Sequence, residues 1–210
     1  MKKYDLYLFD FDGTLVDSFK SLEEVFVRAF KSVGISIDVN NIPRYCRVPL
    51  WETFEEVGGK KEDEQAFVDE IERLVDVPEL TALVEIFDDT RKLIELSKEH
   101  GFKLGIVTSN TSKHVKEVLD IHGIDPNVFS VIIGNKEAHG IKPNPGPVLK
   151  ALERSGFLND LDRACYVGDS FNDVKAGLNA GIDGILLDRH HEFNCVNEYP
   201  KIYKLTDLFK

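Results

Sequence analysis

From about Ile86 to Asp188 the chain alternates short apolar runs with amphipathic stretches, and this alternation narrows the fold more than any other feature. "DDTRKLIELSKEHG" has helical spacing, with Asp88 or Asp89 near its N-cap and Gly101 as its stop. The apolar run "FKLGIVT" follows. "TSKHVKEVLDIHG" is helical again, stops at Gly123 and leads into "FSVIIG". The loop "NKEAHGIKPNPG" separates that run from the helix "PVLKALERSG". "RACYVGD" and "DGILLD" then read as strands on either side of the helix "NDVKAGLNAG". Apolar strands alternating with helices specify a parallel sheet covered on both faces.

Between Val16 and about Leu83 the texture changes. "SLEEVFVRAFKSVG" carries Leu22, Val25, Phe26, Ala29, Phe30 and Val33 at helical spacing. "PLWETFEEVGG" and "EDEQAFVDEIERLV" are helical as well, and no clear strand is expected in this span. The expected class is therefore α/β, a Rossmann-like doubly wound parallel sheet with an inserted α-helical cap. Residues 1–15 and 84–210 would form the core, and residues 16–83 the cap. An insert at this point would lie over the carboxyl edge of the sheet, where ligands bind in open α/β folds. The 210 residues are enough for both parts.

Composition removes several function classes. A net charge of −11 argues against a nucleic-acid partner, because phosphate backbones need basic surfaces. It does not argue against a small anionic substrate, since one lysine and one metal reverse the sign locally. No apolar run approaches the ~20 residues of a membrane span, so no membrane partner is expected. "MKKYDLYLFD" reads as a first strand rather than a signal peptide, which makes the cytoplasm the expected location. Cys46, Cys165 and Cys195 are too few and too scattered for a disulfide framework or a zinc site. Cys165, inside an apolar run, is expected to be buried.

Chemistry gathers at four strand ends. In "YLFDFDGTLVDS" an apolar run delivers Asp10, Asp12 follows, and Gly13 permits a tight turn. Two carboxylates held together repel and invite a cation or a shared proton. Mg²⁺ is the natural hard cation where phosphate is the other ligand. Thr108 ends "KLGIV", and Ser109 and Asn110 follow where a helix is expected to begin. A hydroxyl and free amides at a helix start bind phosphate oxygens, or simply cap the helix. Lys142 sits in "GIKPNPG", a loop stiffened by Pro143, Pro145 and Pro147, whereas most lone lysines are solvated. In "YVGDSFND", Asp169 passes the strand and Asp173 starts a helix; capping needs one side chain, so the second acid points to metal ligation. The carboxyl ends of parallel strands share one edge, so these groups can converge.

These four stretches resemble the signatures of the haloacid dehalogenase-like hydrolase superfamily. "DFDGTLVDS", Thr108 after "GIV", Lys142 in "IKPNPGP" and "VGDSFND" occur in order and span nearly the whole core. The branch most similar holds phosphoglycolate phosphatase-like enzymes and β-phosphoglucomutases with a small helical cap. The resemblance implies that Asp10 is the nucleophile and forms an aspartyl-phosphate. It implies that Asp12 is general acid and then base, and that Thr108 and Lys142 bind phosphoryl oxygens. It further implies Mg²⁺ held by Asp10, the Asp12 carbonyl, Asp169 and Asp173. Gly13, Thr14, Ser109, Asn110 and Arg47 are the expected substrate-binding positions. The expected reaction is Mg²⁺-dependent hydrolysis of a small phosphorylated metabolite by a monomer or homodimer.

Asp12 separates subclasses. A leaving alkoxide needs a proton and a halide does not, so an acid here disfavours dehalogenation. No lysine in "SFKSLEEVFVRAFKSVG" stands out as the Schiff-base residue of the phosphonate-cleaving relatives. A phosphomutase keeping the same intermediate is one alternative, and a non-catalytic binding protein on the same fold is another. A nucleotide-binding protein would need G-x-G-x-x-G after the first strand, which is missing. Arg44, Tyr45, Arg47 and Trp51 in the cap either reach a substrate or serve the cap itself; Phe19 and Lys20 stand near its hinge. His190 and His191 lie past the last expected strand, where adjacent histidines on a polar loop are ordinarily solvated.

Overall fold

The computed structural model describes residues 2–45, 48, 50–195 and 198–210. The strands in chain order are β1 (Leu6–Phe9), β2 (Val16–Asp17), β3 (Glu85–Ile86), β4 (Lys103–Val107), β5 (Phe129–Ile133), β6 (Ala164–Gly168), β7 (Asp183–Leu187) and β8 (Lys201–Ile202). Six of them form one sheet in the order β5-β4-β1-β6-β7-β8, and every pairing in it is parallel. The chain winds outward from β1 through β4 to β5, then crosses back to β6 and continues to β8. This reversal of winding about β1 opens a crevice at the carboxyl ends of the neighbouring strands. The α/β class with a doubly wound parallel sheet is the observed architecture.

The chain divides into two compact units, Met1–Asp17 with Ile86–Lys210, and Ser18–Glu85. In the first, both faces of β1 are buried, as a central parallel strand requires. Leu6 and Leu8 point into a cluster with Val131, Val148, Leu152 and Ala176, beneath α8 (Gly146–Ser155) and α9 (Phe171–Asn179). Tyr7 points the other way, its ring 4.9 Å from Phe102 and 5.5 Å from Phe209. That face also carries α6 (Asp88–His100), which buries Leu93 and Ile94. Each such side chain contributes roughly 1.5–3 kcal/mol when fully buried. Cys165 is buried, as expected for a small side chain in β6.

The second unit holds helices α1 (Phe19–Ser32), α2 (Ile42–Tyr45), α3 (Leu50–Glu56), α4 (Glu64–Val75) and α5 (Pro78–Thr81). Val25, Phe26, Ala29 and Phe30 form the buried stripe of α1. Phe67 joins it, with ring centroids 4.5 Å from Phe30 and 4.8 Å from Phe54. Tyr45 is buried in the same cluster, so its bulk serves the core of this unit. Arg44 pairs with Glu56 at 2.8 Å, and Trp51 is about half exposed. Cys46 and Arg47 lie outside the described residues.

The structure corrects three local expectations and bears out a fourth. Val16–Asp17 is a strand paired with Glu85–Ile86, inside a span read as strand-free. The N-cap of α6 is Phe87, with Asp88 and Asp89 beside it in the first turn, as expected. The helix after β4, α7, runs Ser112–Ile121 and is capped by Thr111, so Ser109 and Asn110 belong to the preceding turn. β7 is not the last strand, and His190 and His191 lie in its connection to β8.

Candidate active site

Three strand ends bring the chemistry to one edge. Asp10 directly follows β1, Thr108 follows β4 and Asp169 follows β6, and these strands are adjacent and parallel. The sheet ladder extends one residue further to fix two of them. The Asp10 amide donates to the Val167 carbonyl at 2.9 Å, and the Thr108 amide to the Ile133 carbonyl at 2.9 Å. Lys142 reaches the same edge from the loop between β5 and α8. The Asn179 side chain donates to the Pro143 carbonyl at 3.0 Å and ties that loop to the end of α9.

Lys142 sits between two carboxylates. Its Nζ donates to Asp10 Oδ1 at 2.7 Å and to Asp173 Oδ1 at 2.6 Å. The three side chains are 9%, 11% and 1% exposed, so the charges meet away from bulk water, where pairing counts most. Burial pushes the Asp10 carboxyl well above the usual carboxylate range; Lys142 opposes this, while Asp173 and Asp169 push the same way. Burial works against the Lys142 ammonium, but Asp10 and Asp173 outweigh it and hold the group well above its ordinary value.

Asp173 has two duties. Its amide and carboxylate form a reciprocal capping box with Ser170 at the start of α9, while its Oδ1 faces Lys142. One carboxylate thus caps the helix through Oδ2 and meets the Lys142 ammonium through Oδ1. Asp10, Asp169 and Asp173 each offer a carboxylate oxygen, all within 4.8 Å of one another. Gly13 brings the loop after β1 against this group: its φ is +73°, and a Cβ there would stand 2.6 Å from Asp169 Oδ2. Asp12 is held by Asn110, whose Nδ2 donates to Asp12 Oδ2 at 2.6 Å. Thr108 Oγ1 accepts from the Asn110 amide at 3.1 Å, which shapes the turn that presents Asn110. Ser109 is exposed in that turn. Thr14 is fully buried, and its Oγ1 has no hydrogen-bond partner among the described residues. Arg47 lies outside the described residues.

Tyr166 is the participant that sequence reasoning missed. Its hydroxyl donates to the Val107 carbonyl at 2.8 Å and accepts from Lys142 at 3.3 Å, with Asp173 Oδ1 3.2 Å away. It therefore links β4, β6 and the lysine. Its only sequence signal was an aromatic residue two positions before Gly168 on a strand heading for the site.

A family model described as haloacid dehalogenase-like hydrolase matches residues 7–187. A phosphoglycolate phosphatase of Aquifex aeolicus is 30% identical over 175 residues, which span 83% of this chain and 80% of that protein. A pyrophosphatase PpaX of Bacillus velezensis is 29% identical over 193 residues, covering 86% of this chain and 81% of its own. Among solved structures, one described as a haloacid dehalogenase-like hydrolase from Bacteroides fragilis matches with a TM-score of 0.85 at 26% identity, covering 98% of this chain and 100% of that one.

Proposed function

The chain belongs to the haloacid dehalogenase-like hydrolase family, and from that premise we propose that it is a Mg²⁺-dependent phosphatase of small phosphomonoesters working through an aspartyl-phosphate on Asp10. The observation that carries this reading is the buried contact of Asp10 with Lys142 beside Asp169 and Asp173. Three carboxylates against one ammonium leave two negative charges, the deficit a divalent cation fills. Hard oxygen donors suit Mg²⁺. Asp10, Asp169 and Asp173, with the Asp12 backbone carbonyl, would hold it. When bound, it supplies screening for an anionic nucleophile approaching an anionic phosphate.

The remaining chemistry belongs to the protein. Asp10 attacks phosphorus, and the bond to the leaving oxygen breaks as Asp12 gives that oxygen its proton. Lys142 neutralises charge on the transferring group, and the Thr108 hydroxyl binds a phosphoryl oxygen in this reading. Asp12, now a carboxylate, takes a proton from water as the water oxygen attacks phosphorus. The Asp10–phosphorus bond breaks and inorganic phosphate leaves. Asn110 holds the Asp12 carboxylate in register for both proton transfers.

The Aquifex and Bacillus relatives carry names for two substrate classes, a phosphomonoester and a phosphoanhydride. A panel of phosphoglycolate, sugar phosphates and pyrophosphate separates them by phosphate release. It also separates hydrolysis from a phosphomutase, which would return the phosphoryl group to a sugar. With p-nitrophenyl phosphate, turnover is expected with Mg²⁺, lost with chelator, and lost in Asp10→Asn. Undiminished turnover in Asp10→Asn would remove this site from the reaction.

A further inference from the structure

We propose that Arg189, on the connection after β7, is a positioning residue for the loop that carries Asp12, an inference that rests on the phosphatase reading above. Arg189 is fixed on three sides. Its two terminal nitrogens donate to the two oxygens of Asp89, each at 3.0 Å. Nη2 also donates to the Thr14 carbonyl at 2.7 Å. The guanidinium lies 3.9 Å over the Phe87 ring. Both charged side chains are nearly buried, at 12% and 13% exposed, so this is not a loose surface pair. A planar fork can meet a carboxylate edge-on, stack on a ring and still offer a hydrogen to a carbonyl; an ammonium cannot do all three.

The partners show what the contact holds. Asp89 lies in the first turn of α6 and also accepts the Leu205 amide at 2.8 Å, which anchors it to the C-terminal segment. Thr14 stands two residues after Asp12, on a loop closed by its own bonds: the Gly13 amide donates to the Val16 carbonyl at 2.8 Å and the Leu15 amide to the Phe11 carbonyl at 2.8 Å. Leu15 is tied to α6 as well, its carbonyl accepting from Thr90 Oγ1 at 2.7 Å. Asp10 precedes this loop and is set by the sheet, whereas Asp12 lies within it. Loss of the Arg189 contact therefore loosens Asp12 and its carbonyl more than it loosens Asp10.

That asymmetry gives a signature which a purely structural role would not produce. A misplaced general acid harms substrates with poor leaving groups, which need the proton, and spares those with good ones. In Arg189→Lys, kcat/KM for an alkyl phosphate such as phosphoglycolate or glycerol phosphate should fall at least about fivefold more than for p-nitrophenyl phosphate. Asp12→Asn serves as the reference for the same bias. Equal falls on both substrates, or no fall in a folded variant, would overturn the inference. Should Arg189→Lys fail to fold by circular dichroism, Asp89→Asn decides by the same ratio, because it removes the carboxylate that orients the guanidinium. A wild-type enzyme without phosphatase turnover overturns the parent reading and this one together; an active wild type with unbiased variants overturns this one alone.

Discussion

Lys142 Nζ lies 2.7 Å from Asp10 Oδ1 although 132 positions separate the two residues in sequence. The same nitrogen meets Asp173, so one ammonium balances part of a three-carboxylate cluster. Lys142→Met should therefore do two things. It should lower kcat/KM for p-nitrophenyl phosphate by about 10²–10³, the usual cost of removing one charge-stabilising donor. It should also destabilise the metal-free protein by roughly 3–5 kcal/mol, because it leaves buried carboxylates without their partner. Binding to the folded state raises Tm by mass action, and Mg²⁺ should raise it more in the variant than in the wild type. Thermal melts with chelator and with excess Mg²⁺ check this; equal shifts would show that Lys142 and the cation do not share these carboxylates.

Gly13 presses against Asp169 with a backbone that side chains resist, at φ +73°. Gly13→Ala adds a Cβ 2.6 Å from Asp169 Oδ2, so either the loop or the carboxylate must move. The expected cost is about 1–3 kcal/mol of stability from strain, together with weaker Mg²⁺ binding by titration calorimetry. Stability lost with Mg²⁺ affinity intact would mean that the loop moved and the carboxylate stayed.

Asp10, Lys142, Asp169 and Asp173 could be brought together on paper because each adjoins a strand end or a stiff loop, and parallel strands share their carboxyl edge. Other features left no such trace. Thr108, Ser109, Thr111 and Ser112 all carry hydroxyls able to cap a helix, so the sequence offered both Thr111 and the earlier Ser109-Asn110 as the start of α7; the backbone chooses Thr111. Asp89 was legible as an acid beside the N-cap of α6, yet its partner Arg189 is 100 residues away, and pairing at that separation has no periodicity to betray it. β8, with two residues, is too short to show alternation. Tyr166 was hidden by its neighbours, since an aromatic in a buried strand is ordinarily core.

Tyr166 now supplies its own test. Tyr166→Phe keeps the ring and removes the hydroxyl that donates to the Val107 carbonyl. A buried acceptor loses a donor, which costs roughly 1–3 kcal/mol. Lys142 keeps both carboxylate partners, so kcat/KM should fall by less than about tenfold, well short of the loss in Lys142→Met. Urea denaturation and steady-state kinetics read the two effects separately. A loss of activity matching that of Lys142→Met would make the phenol, rather than the carboxylates, the main orienter of the lysine.

At the opposite edge of the sheet Asp183 begins β7 and accepts from Lys2 at 2.9 Å and from the Tyr4 hydroxyl at 2.9 Å. The Lys2 bond lowers its carboxyl below the usual range; burial pushes back next in size, and the Tyr4 bond and the Lys2 charge add to the lowering. The Tyr4 phenol moves the other way, raised by burial and then by its bond to Asp183. A carboxyl with a folded value below its unfolded value near ~3.9 adds stability above that pH and loses it as pH falls through the folded value. The Asp183 side chain is 47% exposed, so solvent screening keeps the contribution to about 0.5–1 kcal/mol. Asp183→Asn should therefore unfold at slightly lower urea than the wild type at pH 7. The two curves should draw together as the pH is taken down through about 4 and below. A gap that stays constant across that range would assign the effect to the Tyr4 hydrogen bond and packing rather than to the charge.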